Sequence, residues 1–327
     1  MEKAILGLDI SKKKFDATLI LVDNKVRKKP FSNDAEGFYK LLEWLRKYHQ
    51  GDVHACMEFT GIYDERVAEF LYQEGFIVSR VNAMIIKSFS KSMMTRTKTD
   101  KKDSMVIAQF CKMHQPKAWE PDPIHIRTLR DLSRTLEALK EDQLTIRNRL
   151  EKYIERESPA KKIWQDNLAE VEQKIKSLEA QLDEHIKNFD DLEAKVKLLQ
   201  TIPGIGKTTA RTLLAEIPDI TQFRDARQLV AFAGLNPRQR QSGSSVSGRS
   251  RLSKVGSCRL RTALFLPAMV AKQHNPIIKS FAERLIRNGK SKMSAVGASM
   301  RKLLHIVFGV LKHETPFVGV QKFALSR

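Results

Sequence analysis

The sequence predicts an α/β domain with a mixed sheet, then a long helical insertion of coiled-coil type, then a mainly α C-terminal domain. Three features carry this. Three strand-like runs open the chain before helix and strand alternate, residues 124–200 are helical in pattern almost throughout, and the remainder is helical around a Gly/Ser-rich interruption. The boundaries fall at 1–125, 126–200 and 201–327. Apolar residues at 42% and charged residues at 29% exclude a disordered chain and a fibre. No run of about 18 apolar residues is present to span a bilayer. The first residues, MEKAILGLDIS, hold only a short apolar stretch broken by Asp9, with no small-residue cleavage site, so no secretory signal and a cytosolic location are expected.

The elements follow in order. Residues 4–22 read as two strands about a basic turn, and VRKKPFSN as a third. AEGFYKLLEWLRKY places Phe38, Leu41, Leu42 and Leu45 on one helical face, and DVHACMEF reads as a buried strand. A helix over IYDERVAEFLYQEG closes at Gly75, and FIVSRVN is a further strand. The helical segment breaks near Ser158 and Pro159; beyond it Leu168, Val171, Ile175, Leu178, Leu182 and His185 alternate three and four apart. That spacing suits either a seam between chains or a hairpin packed on its own domain. Cys56, Cys111 and Cys258 lie far apart in sequence, without zinc-type spacing, and are expected to be core thiols.

Charge points to a partner. Lys and Arg exceed Asp and Glu by 58 to 38, and between Ala231 and Val310 fifteen basic residues face one acid, Glu283. Such a one-signed stretch repels itself unless a polyanion neutralises it, which nucleic acid does.

Three constellations can carry chemistry. Asp9 and Glu58 each end an apolar strand-like run, while Asp100 and Asp103 lie three apart at the head of a helix and so share a face. Carboxylates from neighbouring strand ends and one helical turn suit hard divalent cations that also bind phosphate. The second constellation, IPGIGKTTARTLL, lacks the earlier glycine of a P-loop, since that position is Thr201, and no strand precedes it. It suits a helix–hairpin–helix in which Gly204, Gly206 and Lys207 meet a phosphate, or a plain glycine turn between packed helices. The third is the loop RQRQSGSSVSGRSRLSKVG. Here Ser242, Ser244 and Ser245 stand among Arg238, Arg240, Arg249, Arg251 and Lys254, as a nucleophile held among cations or as a phosphate-binding loop.

The order LDIS, MEFTGIY, KTDKKD, IPGIGKTTA, AFAGLNP, SGSSVSG and LSKVG resembles the DEDD transposases of bacterial insertion sequences, the bridge-RNA-guided recombinases. The resemblance runs from residue 4 to about residue 317, with 155–195 alike in helical character only. It implies a RuvC-like (RNase H-like) N-terminal domain, a coiled-coil insertion and a C-terminal transposase domain. It implies further that Ser242 joins covalently to DNA and that Asp9, Glu58, Asp100 and Asp103 hold Mg²⁺ in a two-metal site, with Mn²⁺ as a substitute. The implied partners are donor DNA, target DNA, a structured guide RNA and further copies of the chain, as a dimer or tetramer with shared active sites. Two other readings stay open: a Mg²⁺-dependent junction-resolving nuclease with water as nucleophile, and a nucleic-acid scaffold without catalysis.

Overall fold

The computed structural model describes residues 3–59, 61, 63–93, 100–154, 157–217, 219–238, 241–242, 246–247 and 251–319, with the backbone alone at 100–102, 241–242 and 246–247. The chain divides into two compact units, Met1–Pro121 and Asp122–Arg327.

In the first unit, β1 (Ala4–Ile10), β2 (Lys14–Ile20) and β3 (Val26–Ser32) form an antiparallel meander. Helix α1 (Ala35–Tyr48) follows, its start capped by Asp34, whose carboxylate accepts from the Gly37 N–H. Strand β4 (Val53–Phe59), α2 (Glu65–Gln73), β5 (Ile77–Asn82), α3 (Ala83–Ser92) and α4 (Asp100–His114) complete the unit. The sheet order is β3-β2-β1-β4-β5, with β4 and β5 parallel to β1. The mixed sheet agrees with the pattern read from sequence.

Both faces of this sheet are covered, and the period of two along each strand sorts the side chains between them. Leu6 and Leu8 of β1 join Phe15, Leu41, Leu45, Met57 and Leu71 in the core on the α1 and α2 side. Ile5 joins Cys56, Val81, Ile107, Ala108 and Cys111 in the core beneath α4. Gly7 belongs to this second face. A β-carbon there would lie 2.3 Å from the Ser104 carbonyl oxygen and 2.5 Å from the Ala108 nitrogen, so the helix backbone rests directly on the strand. A buried hydrogen bond of 2.9 Å between the Thr18 and Ser104 hydroxyls pins the same contact.

The second unit begins with α5 (Ile124–Leu150) and α6 (Pro159–Lys187), the latter opened by Ser158 as N-cap and Pro159 in its first turn. The ion pairs Lys140–Glu179 and Arg147–Glu172 show the two helices to be antiparallel. Ile175, Leu178 and Leu182 are buried, and Leu182 is wholly so, in a core shared with Leu129 and Leu136 of α5. Of the two arrangements that the spacing suits, these buried residues form the hairpin within one chain. The antiparallel neighbour made by the break before Pro159 satisfies the stripe first. The helical pattern also breaks where the sequence reading shows none, at Asn188 and Phe189, before α7 (Asp190–Gln200).

Helices α8 (Lys207–Glu216) and α9 (Ala226–Phe232) lead to two short ribbons within the Gly/Ser-rich stretch. In these, β6 (Pro237–Arg238) pairs β9 (Arg251–Leu252), and β7 (Gln241–Ser242) pairs β8 (Val246–Ser247). Helices α10 (Cys258–His274), α11 (Pro276–Arg287) and α12 (Lys292–His313) close the unit. Among the described residues one helix, α12, is long and apolar enough to cross a membrane, but its Leu303, Leu304 and Val307 are wholly buried in the core of this unit.

Because the Gly7 contact is backbone on strand, Gly7→Ala forces α4 outward and is expected to destabilise the first unit by about 1–3 kcal/mol, as overpacking does. Urea unfolding with hydrogen exchange read on α4 measures this; an unchanged midpoint and unchanged exchange would contradict the close approach.

Candidate active site

The acids of the first unit can be placed from register alone. Gly7 pairs Cys56 across β1 and β4, so Asp9 and Glu58, each two residues on, sit side by side on the face that α4 covers. Both are half-buried. The direction of α4 follows from its contacts: Ser104 lies over Gly7 and against Thr18, whereas the Cys111 thiol, a turn and more later, lies 3.9 Å from the His54 carbonyl, whose residue pairs Ile5. The helix thus runs antiparallel to β1, and its N-terminal end points to the strand end that carries Asp9. Asp103, half-buried, is the residue before Ser104, and Asp100 is one turn earlier. All four backbone positions fall at one end of the sheet. The Asp100 side chain lies outside the described residues, and among the described residues no three acid, His or Cys side chains form a metal-holding group. The structure brings Asp9 and Glu58 together on adjacent strands and turns Asp103 towards their end.

The loop after Glu58 is held by a pair that sequence reading missed. Asp64 is fully buried, and the Arg80 Nε of β5 donates to its Oδ2 at 2.6 Å. A second Arg80 nitrogen donates to the Gly61 carbonyl at 3.3 Å. The guanidinium packs over the Phe59 and Trp119 rings at 4.7 and 5.0 Å. In sequence Asp64 reads as a helix start, and nothing local announces Arg80 as its partner. Nearby, Ser79 donates to the Pro116 or Lys117 carbonyl, at 3.0 and 2.8 Å, and sits 2.8 Å from His54 Nε2, which can donate to it.

The cysteines differ from the expectation in one case. Cys56 and Cys111 are buried neighbours, and the contact with Cys111 together with burial pushes the Cys56 thiol up, so it stays protonated. Cys258 is exposed at the first turn of α10. It is not a core thiol because the buried stripe of that helix starts at Leu260.

In the second unit the Gly/Ser-rich loop is closed at its base. The Ser253 N–H donates to the Asn236 carbonyl at 2.8 Å and the Lys254 N–H to the Gly234 carbonyl at 3.1 Å. One Arg261 nitrogen donates to the carbonyls of Ala233, Gly256 and Ser257 at 3.0 to 3.1 Å, fastening both legs to α10. This clamp also escaped sequence reading. Gly256 has φ +139°, and a β-carbon there would lie 2.3 Å from the Phe232 carbonyl oxygen. The Ser242 backbone pairs Val246 in the inner ribbon. The side chains of Ser242, Ser244, Ser245, Arg240 and Arg249 lie outside the described residues. Arg238 and Arg251 are exposed and directly opposed across the outer ribbon. Like charges so placed repel, which an anion between them relieves.

The turn between α7 and α8 holds two glycines that divide their work. Gly204, at φ +103°, packs on α10, where a β-carbon would meet the Pro267 carbonyl oxygen at 2.8 Å. Gly206 faces open space as the N-cap residue of α8. The Lys207 ammonium pairs with Asp183 at 2.5 Å.

Acids gathered at the end of a mixed sheet, with a strongly basic second unit, suit an enzyme that cuts nucleic-acid strands. Comparison with known proteins narrows this. Residues 6–159 match the DEDD transposase model of the IS110 type, and residues 196–283 match the model described as Transposase IS116/IS110/IS902 family. The chain is 34% identical to the pilin gene-inverting protein of Moraxella bovis, over 97% of this chain and 98% of that protein. It is 38% identical to the transposase for insertion sequence element IS1111A of Coxiella burnetii, over 28% of this chain and 25% of that protein. A solved structure of T. thermophilus RuvC in complex with Holliday junction substrate aligns with 36% of this chain and 100% of that chain, at 13% identity and a TM-score of 0.26. The protein is a transposase-class recombinase, an enzyme of DNA strand cleavage and transfer. It belongs to the IS110 family of DEDD transposases. Its mixed sheet with covering helices lies within the span matched by the DEDD transposase model.

Removing one member of a buried ion pair strands the other, so Asp64→Ala is expected to cost the first unit about 3–5 kcal/mol. Denaturant unfolding of Asp64→Ala, beside the double variant Asp64→Ala/Arg80→Met, measures it. The double variant should regain part of the loss.

Proposed function

We propose that this chain is an RNA-guided DNA recombinase of an insertion sequence that cuts and rejoins strands through a phosphoserine link. The observation that carries the reading is the placement of Asp9 and Glu58 on one covered face at the end to which α4 brings Asp103. The near-complete alignment with a protein named for inverting a pilin gene supports DNA rearrangement as the outcome.

The donor set fits a hard divalent cation, since all four positions offer carboxylate oxygens and none offers sulfur or imidazole. Asp9, Glu58, Asp100 and Asp103 would hold Mg²⁺, or Mn²⁺ in its place, in a two-metal arrangement. Bound there, the metal supplies charge stabilisation to the phosphoryl oxygens and their leaving oxygen.

The chain's own residues do the rest. Ser242 Oγ loses its proton and forms a bond to phosphorus as the bond from phosphorus to a deoxyribose oxygen breaks. The freed deoxyribose oxygen takes up one proton and becomes a hydroxyl, balancing the proton lost from Ser242, and rejoining runs the same exchange in reverse with a different strand end. Arg238, Arg240, Arg249, Arg251 and Lys254 hold the phosphate oxygens, with Ser244 and Ser245 as hydrogen-bonding neighbours. Gly206 presents its backbone to a strand phosphate at the start of α8, with Gly204 setting the turn and Lys207 alongside. Base pairing by a structured guide RNA selects donor and target, which relieves the protein of base readout. Two duplexes call for a dimer or tetramer, with a contact surface other than the buried stripe of α6.

Ser242→Ala is expected to lower strand cleavage by about 10⁴-fold or more while leaving nucleic-acid binding near wild type, since it deletes the attacking atom and no charge. Denaturing gels that detect protein joined to DNA read the intermediate directly. Cleavage without any covalent product would instead support water as nucleophile. Asp9→Asn should abolish the metal-dependent cleavage yet retain binding, which separates an enzyme from a scaffold. If six to ten phosphates are neutralised, DNA affinity should fall by about 10³- to 10⁵-fold between 50 and 200 mM salt.

A further inference from the structure

A cavity of about 1050 Å³ opens in the second unit between the outer ribbon and helices α11 and α12. Arg251, Lys254, Arg301 and Lys302 are among its lining residues, and among the described residues no Asp or Glu lines it. Among the described residues none of these four cations is engaged in an ion pair. Its wall is apolar, with Leu252, Phe281 and Leu285. Leu252 leans on α12 at Gly297, where a β-carbon would lie 3.3 Å from the Leu252 side chain.

This combination selects one kind of occupant. A duplex lying across the opening would meet the cations with its phosphates and leave the apolar wall wet. A free phosphate would use the cations alone. A nucleotide unstacked from its strand uses both, because the base supplies a flat apolar face and the backbone supplies the charge. We propose that this cavity receives an unpaired nucleotide of the DNA strand, its base against Leu252, Phe281 and Leu285 and its flanking phosphates on Arg251, Lys254, Arg301 and Lys302. DNA is favoured over RNA because Arg251 and Leu252 form the leg of the ribbon from which the Ser242 loop departs. A nucleotide seated there ties the substrate strand to the stem of the loop that attacks it. His305 adds a neutral hydrogen-bonding edge, since burial and then Arg301 and Lys302 hold its imidazole below the usual pKa.

The inference rests on the proposed DNA-cutting role of the Ser242 loop, and the test separates the two. The full chain is titrated by fluorescence anisotropy against a labelled oligothymidylate, an equal-length strand with abasic sites, and an oligouridylate RNA. Wild type should prefer the base-bearing DNA to the abasic strand by about tenfold. Phe281→Ala/Leu285→Ala should erase that preference and keep the salt dependence, whereas Arg301→Ser/Lys302→Ser should weaken both DNA probes alike. Ser294→Phe, which fills the cavity from an exposed position in the first turn of α12, repeats the first test without touching the apolar wall. Equal binding of base-bearing and abasic DNA by wild type, a preference that survives Ser294→Phe, or tighter binding of the RNA would overturn the pocket while leaving DNA binding intact. Failure of wild type to bind either DNA strand would overturn the DNA-cutting role as well.

Discussion

The close approach of α4 to β1 governs the first unit. Only a residue without a β-carbon lets the Ser104 carbonyl and Ala108 nitrogen come so near the strand, and position 7 is that residue. Two consequences follow from one contact. The helix seals the second face of the sheet, burying Ile5, Cys56, Ile107 and Cys111 away from water. The same contact fixes how far the helix is advanced along β1, and so how far Asp103 stands from the strand end with Asp9 and Glu58. A slip of one helical turn would leave the core buried and carry the acid some 5 Å away. Packing and site placement are therefore the same constraint.

The buried pair of Asp64 and Arg80 belongs to that scheme. A carboxylate out of water is costly unless its charge is met, and here the guanidinium meets it while lying over two aromatic rings. The pair fastens the chain that leaves Glu58, a place where a free loop would let the acid wander. Its value lies in fixing position more than in adding stability.

In the second unit the organising problem is electrostatic. A stretch with fifteen cations and one acid is folded around a largely apolar core, with cations placed on the outer ribbon and along α10 to α12. Opposed arginines on the outer ribbon and the cavity below it, acid-free among the described residues, are sites where the fold accepts repulsion in the absence of a polyanion. Arg261 shows the other use of the same residue type. Spent on three backbone carbonyls, it closes the base of the loop.

The five strands and first two helices of the first unit, the head of α4 at Asp100, the break at Ser158 and Pro159 and the basic character of the C-terminal stretch were readable in the sequence, whereas α3 was not. Each depends on neighbours within a few residues: period two, period three to four, a cap, a proline or a run of charge. The four acids were readable as strand-end and helix-head positions, and the resemblance to DEDD transposases rested on their order. What stripes pack against was not. The α6 stripe suited a partner chain as well as α5 until the hairpin showed it filled, and Cys258 differed from Cys56 and Cys111 only by the face it occupies. Asp64 with Arg80, Arg261 with the Ala233 carbonyl, and Gly204 against α10 join residues 16 to 67 positions apart. Such pairings leave no periodic trace, because the free energy that selects them arises only when burial removes the water that would otherwise satisfy each charge and carbonyl. Tertiary structure alone decided them.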